Sequence, residues 1–322
     1  MKNIYFVAPS FGVNLTYYKK RFNKALKNLD ELGYKYIIGD NVYKAEGLVA
    51  SNTPELRGKE INDAFKSNPD VVWSVGGGEL MVQILEYVDF DIIKASKSIY
   101  VGFSDNTNLV YTITTLLDKP TIYGVNAPSL STIQYDSKDT LDLINGKKEF
   151  IGYPKWQFEF KNQNPIYNYE FDKKAKLIPI NYNKPVNGIL IGGCLDCLIG
   201  LCGTKYDNTV NYINKHKEDG IIFFMEACDL NSIMLIRGLT QLKYAGWFDN
   251  VSMFIIGRSF NYQNKAFGIN MKNAYKEVLE PLGKPIILDA PIGHFNPSLP
   301  IKLGVKAEVS FNRNRIKIKY EE

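Results

Sequence analysis

The chain has 322 residues, 45% of them hydrophobic and 23% charged, with a formal net charge of +5. That length predicts two domains or one large one, with ample residues to bury a core. The charge is spread along the sequence, no run reaches the roughly 18 consecutive apolar residues of a membrane span, and no nucleic-acid-binding module is recognisable; nucleic acid and membrane are therefore excluded as expected partners.

Residues 4–8 read as a buried first strand, and the apolar run around them is too short for a secretory leader. Phe22, Ala25, Leu26 and Leu29 recur at helical spacing within 18–32, while Lys19, Lys20, Lys24 and Lys27 form a solvated face. The alternation continues with a strand at 36–38, a helix at 61–67, and a strand at 71–75 that runs into Gly76-Gly77-Gly78. A helix at 79–88 and a strand at 99–103 follow. Strands separated by helices predict parallel βαβ units in a doubly wound sheet. Ligands of such sheets gather beyond the carboxyl ends of the strands, where both the glycine run and Ser104 fall.

Composition changes after residue 150, where Asn, Lys, Tyr and Pro accumulate without a period. The expected organisation is an N-terminal α/β domain over 1–150, a linker or covering loop over 151–186, and a C-terminal domain over 187–322. Short apolar runs at 189–191, 221–225, 253–256 and 286–288, one long helix near 233–247, and two closing strands around a turn at 312–314 predict a strand-richer α/β unit.

Gly102-Phe103-Ser104-Asp105-Asn106 joins a short buried strand to a helix marked by Leu109, Ile113, Leu116 and Leu117. A serine on a sharp strand-to-helix turn projects its hydroxyl out of the sheet, beside the free N–H groups of the first helical turn. That placement suits a nucleophile with an oxyanion donor nearby. The pattern departs from G-x-S-x-G at Asn106, whose tolerance of a left-handed conformation is expected to preserve the turn. Ser, Asp and Asn are also ordinary helix N-caps, so capping is the alternative reading.

Only two histidines are present. His216 lies in a polar stretch and reads as solvated; His294 follows the apolar run at 286–288 in a loop with Gly and Pro on both sides. Glu226 ends a run apolar enough to be a central strand, where a carboxylate needs a partner: an imidazole, or Arg237 or Arg258. Ser104, Glu226 and His294 together supply a hydroxyl, an acid and a base. Cys194 and Cys197 have zinc-like spacing, but no second ligand pair follows. Those two, Cys202 and Cys228 are read as buried free thiols of a reducing cytoplasm, with no metal and no cofactor expected.

With these segments in view, the chain resembles the LD-carboxypeptidase and microcin-immunity family of serine peptidases along nearly its whole length. The resemblance rests on Ser74-Val75-Gly76-Gly77-Gly78, Gly102 to Thr107, Ile191-Gly192-Gly193-Cys194-Leu195, Phe224-Met225-Glu226-Ala227, Arg237 to Leu242, and Pro291-Ile292-Gly293-His294. It implies a flavodoxin-like N-terminal domain, a smaller C-terminal domain, an active site between them and a homodimer. It places the nucleophile on Ser104, the orienting acid on Glu226, the base on His294, and oxyanion or substrate contacts on Gly77, Gly78 and the amide of Asp105. Gly76-Gly77-Gly78-Glu79, where many members have an aromatic residue between glycines, and Cys194, where Asn is usual, depart from the family pattern. The activity it implies is an LD-carboxypeptidase trimming murein tetrapeptides. The alternatives are an immunity-type hydrolase of aminoacyl- or peptidyl-nucleotide amides and, from another class, a non-catalytic small-ligand-binding protein.

Overall fold

A computed structural model describes residues 2–158, 169–263 and 265–321. Five parallel strands, β1 (Asn3–Val7), β2 (Lys35–Ile38), β3 (Val71–Ser74), β4 (Ile99–Gly102) and β5 (Thr121–Tyr123), form the first sheet in the order 2-1-3-4-5. This is the flavodoxin-like order, with its topological switch between β1 and β3. All four residues of β3 are buried, as a central strand covered on both faces requires. Ile301–Leu303, from the far end of the chain, adds an antiparallel edge to β5.

Helix Thr16–Glu31 buries Phe22, Ala25 and Leu29 and turns its lysines outward. The next helix begins at Pro54, seven residues before its expected start (61 − 54). Thr53 accepts from the Leu56 amide, and a proline in the first turn gives up an N–H that has no helical partner anyway. The expected helix at 79–88 is a 3-10 helix, Met81–Tyr87.

The second sheet has eight strands. Val186–Cys194, Ile221–Glu226, Val251–Gly257 and Ile286–Ala290 run parallel at its centre. Antiparallel strands Lys306–Asn312 and Arg315–Tyr320 extend one side and Ile178–Ile180 the other. Arg313 and Asn314 both take positive φ between the closing strands, as a two-residue hairpin turn demands. The long helix is Ser232–Tyr244, started by Asn231, whose side chain accepts from the Ile233 and Met234 amides.

The stretch expected as a linker or covering loop is more structured than its composition suggests. Glu149–Ile151 and Ile178–Ile180 are edge strands of the second sheet, and Lys155–Trp156 pairs with Lys173–Lys174. Short strands that borrow their pairing from distant segments leave no local period to read. Residues 159–168 lie outside the described residues.

The two sheets are locked through helix Thr107–Leu117. Thr107 Oγ1 accepts from the Cys194 amide at 2.9 Å, and Tyr111 stacks on Trp247 with centroids 5.2 Å apart. The carboxyl ends of β4 and Ile221–Glu226 thereby face one cleft. Among the described residues, no helix is long and apolar enough to cross a membrane.

Glu60 fixes the exit of β1. Its buried carboxylate accepts from the Ala8 amide at 2.8 Å and the Asn41 amide at 2.7 Å. Burial pushes its carboxyl up to about 7, against the pull of those amides. Glu60→Gln leaves one amide facing an NH₂ group, and we expect a loss of about 1–3 kcal/mol in urea unfolding. The folded protein holds this proton more tightly than the unfolded chain, so wild-type stability from this group falls as pH rises from 4.5 through about 7. The gap between wild type and variant should narrow over that interval.

Candidate active site

The turn after β4 places Ser104 in the left-handed region, with φ of 64°. A non-glycine residue there costs about 1–2 kcal/mol, so its surroundings must hold it. Asn106 does much of this, and not in the way the sequence suggests. Its own backbone is right-handed, with φ of −63°. Its side chain donates to the Gly76 carbonyl at 2.8 Å and the Phe103 carbonyl at 2.9 Å, and accepts from the Tyr100 hydroxyl at 2.6 Å. The positive φ falls on the serine; the asparagine ties the turn to the glycine run.

His294 and Glu226 meet Ser104 from the second sheet. His294 Nε2 lies 2.9 Å from Ser104 Oγ, and His294 Nδ1 lies 2.9 Å from Glu226 Oε2. An ionised carboxylate only accepts, so Nδ1 carries the proton, and in the neutral ring Nε2 is left to accept from the serine hydroxyl. Glu226 is fully buried. The Tyr123 hydroxyl donates to its other oxygen at 2.6 Å and also accepts from the Ser104 amide at 3.3 Å. Burial by itself raises the Glu226 carboxyl, but the charge and hydrogen bond of His294, with Tyr123 and Cys194, bring it below its usual value. Burial works against an imidazolium at His294, yet Glu226 and Cys228 hold that ring well above its ordinary value.

The histidine loop is built to sit over this carboxylate. Gly293 has φ of 112°, and a Cβ there would come 2.9 Å from Glu226 Oε2. Its amide donates to Ser298 Oγ at 3.0 Å, and the Ser298 amide donates to Asp136 Oδ2 at 3.1 Å. Burial pushes the Asp136 carboxyl up to about 6. Neither arginine considered for Glu226 reaches it: Arg237 is exposed, and Arg258 lies over the Trp156 ring. His216 is half-buried rather than solvated, with Nε2 3.0 Å from Asp118 Oδ1.

Gly77 comes close to Ser104: a Cβ there would lie 3.1 Å from Ser104 Cβ. Asp105 turns its carboxylate away from the serine. Oδ2 accepts from Ser10 Oγ at 2.5 Å and the Met81 amide at 2.9 Å, while Oδ1 accepts from Asn108 Nδ2 at 2.9 Å. Its own N–H belongs to the first helical turn, which has no intrahelical acceptor.

Ser104 lines two cavities, of about 420 Å³ and about 170 Å³, and Gly78 borders both. His294, Gly77 and Arg21 line the larger one only; Cys194 and Cys197 line the smaller, and Cys228 borders both. All four cysteines are free, but only Cys194 is buried; Cys197, Cys202 and Cys228 are half-buried. Trp156 lines neither cavity and packs instead on Arg258 and Phe295. Among the described residues no group of three His, Cys, Asp or Glu could hold a metal ion. Tyr123, Asp136 and Ser298 escaped the sequence reading, since a tyrosine in a strand and polar residues in loops carry no local signal of their partners.

The N-terminal domain model of the LD-carboxypeptidase family matches residues 4–124, and its C-terminal domain model matches 187–309. The microcin C7 self-immunity protein MccF of Escherichia coli is 26% identical over 322 aligned positions, covering 93% of this chain and 88% of that protein. A probable murein peptide carboxypeptidase of Bacillus subtilis is 25% identical, covering 90% and 84%. The solved apo structure of an inactive MccF mutant superposes with a TM-score of 0.83 at 25% identity, covering 99% of this chain and 96% of that one. MccF with aspartyl sulfamoyl adenosine gives a TM-score of 0.83 at 23% identity and the same coverage.

Two outcomes follow from the hydrogen-bond geometry. Tyr123→Phe removes a donor from a buried carboxylate and should lower kcat about tenfold, with little change in KM. A base must be unprotonated, and His294 is held above 6.5, so the acid limb of kcat/KM against pH should have its midpoint above pH 6.5. A midpoint below that value contradicts the pairing with Glu226.

Proposed function

Because the chain belongs to the LD-carboxypeptidase family of serine peptidases, we propose that Ser104, His294 and Glu226 act as its Ser-His-Glu triad and that it hydrolyses an aminoacyl- or peptidyl-nucleotide amide. His294 Nε2 takes the proton as Ser104 Oγ attacks the amide carbonyl carbon. The amides of Gly77 and Asp105 receive the tetrahedral oxyanion, an interaction worth about 3 kcal/mol per donor. The C–N bond then breaks, His294 gives its proton to the leaving nitrogen, and the acyl group stays on Ser104. Water attacks that ester, loses a proton to His294, and Ser104 recovers its hydroxyl as the free acid departs. Glu226 keeps the ring oriented and stabilises its charge throughout.

The observation that carries this reading is the division of space around Ser104. The group that protonates the leaving nitrogen lines only the larger cavity, so the leaving half belongs there and the acyl half in the smaller one. About 420 Å³ falls within the range occupied by drug-sized ligands, and a terminal alanine would leave much of it empty. Arg21 is the one lysine or arginine lining it among the described residues, and we assign it to the anionic part of the leaving group. The second reading, a carboxypeptidase acting on murein tetrapeptides, is supported by the relationship to the Bacillus subtilis protein and uses the same chemistry, with Arg21 on the terminal carboxylate.

A serine-directed fluorophosphonate should modify Ser104, and Ser104→Ala and His294→Ala should each lower turnover at least about a thousandfold with unchanged thermal unfolding. Full turnover by either variant removes the triad. Mass spectrometry after incubation with an aminoacyl sulfamoyl adenosine and a murein tetrapeptide decides between the substrates. Arg21→Gln should raise KM about tenfold for whichever anionic substrate is cleaved.

A further inference from the structure

A further cavity, of about 140 Å³, shares no lining residue with the two that border Ser104. It lies beyond the carboxyl ends of Val251–Gly257 and Ile286–Ala290, the side of a parallel sheet on which ligands gather. The sheet is opened there. Ile255 pairs with Ile287 but Gly257 with Ala290, so Leu288 and Asp289 stand against Ile256 alone, and Asp289 takes φ of 60°. Bulges of this kind re-aim side chains, and both bulged residues line the cavity.

Four cations line it among the described residues, Lys174, Lys176, Arg258 and Lys272, against one carboxylate, Asp289, which Lys272 already pairs. Arg258 is only 6% exposed, yet no described residue accepts a hydrogen bond from its guanidinium. The group lies over the Trp156 ring, with Cζ 5.0 Å from the centroid. Burial pushes it down to about 10, with the charge of Asp289 pulling the other way. An aromatic face attracts a cation but leaves its N–H groups without acceptors. Nη2 is sealed from solvent; Nε and Nη1 are not, and these are the donors that Arg258 offers to the cavity it lines.

The rest of the wall is largely apolar or aromatic: Ile256, Met271 and Leu288, with the rings of Trp156, Tyr262 and Tyr275. We propose that this cavity binds a small organic anion, a carboxylate on a body about the size of one aromatic ring, with the carboxylate on Arg258 and the body against these side chains. An arginine fork matches a planar carboxylate, and a cavity of about 150 Å³ is enough for benzene. A bare inorganic anion leaves the apolar wall unfilled, and a neutral ring leaves the arginine unpaired. The site uses none of Ser104, His294 and Glu226, so it stands whether or not the catalytic reading does.

Trp156 reports on the site, since the other two tryptophans, Trp73 and Trp247, are fully buried elsewhere. Benzoate titrated into the whole protein should change Trp156 fluorescence and, by calorimetry, bind about tenfold more tightly than benzyl alcohol or inorganic phosphate. Arg258→Gln should remove that preference, and Arg21→Gln, in the cleft at Ser104, should leave benzoate binding unchanged. Lys176→Glu alters an exposed side chain and should by itself weaken benzoate about fivefold, so the answer does not depend on whether the buried-arginine variant folds. Equal binding of benzoate and benzyl alcohol, tighter binding of phosphate, or no response to any of the three overturns the proposal. So does benzoate binding that is lost in Arg21→Gln and kept in Lys176→Glu, which would put the anion in the cleft at Ser104.

Discussion

A fully buried carboxylate at the end of Ile221–Glu226 is the constraint on which the site depends. An isolated charge in such a place costs several kcal/mol, so Glu226 must collect donors or keep its proton. Two of its partners come from different sheets: the His294 ring from its own and the Tyr123 hydroxyl from the other. Satisfying one carboxylate therefore aligns the imidazole and ties the carboxyl ends of two sheets together. Tyr123 also meets the Ser104 amide, so the same hydroxyl touches both Glu226 and the strained turn that carries Ser104.

Support for this alignment comes from Asn106 and Asp136, which line neither cavity, and from Ser298, which borders the larger one. Asn106 binds the serine turn to the glycine run. Asp136 holds Ser298, which in turn holds Gly293, and Gly293 brings the histidine loop down on Glu226 without a clashing Cβ. Buried polar groups of this kind are satisfied in only one arrangement, which makes the geometry of Ser104, His294 and Glu226 rigid rather than adaptable. Around Ser104, Arg21 and His294 line the larger cavity, Asp105, Asp196 and Asp229 the smaller, and Glu79 borders both.

Much of the architecture was legible because it is written in local periods. The strands at β1, β3 and β4 are short apolar runs ended by turn residues, and helix Thr16–Glu31 shows its buried stripe directly. The start of helix Pro54–Lys66 was missed because its opening turn is polar and is defined by a cap rather than by apolar spacing. The strands at 149–151 and 178–180 were missed because each exists only through a partner far along the chain.

By itself the sequence determined the order of the elements, the residue types able to act as nucleophile, acid and base, and the family they resemble. These follow from propensity, side-chain chemistry and motif spacing, which are properties of neighbouring residues. The tertiary structure decided that Glu226 pairs with His294 and Tyr123 instead of an arginine, that the left-handed residue is Ser104 rather than Asn106, and that Glu79, Asp196 and Asp229 line one cavity with Ser104. Each of those facts joins residues from different segments, and only packing the two sheets against one helix brings them within range of each other.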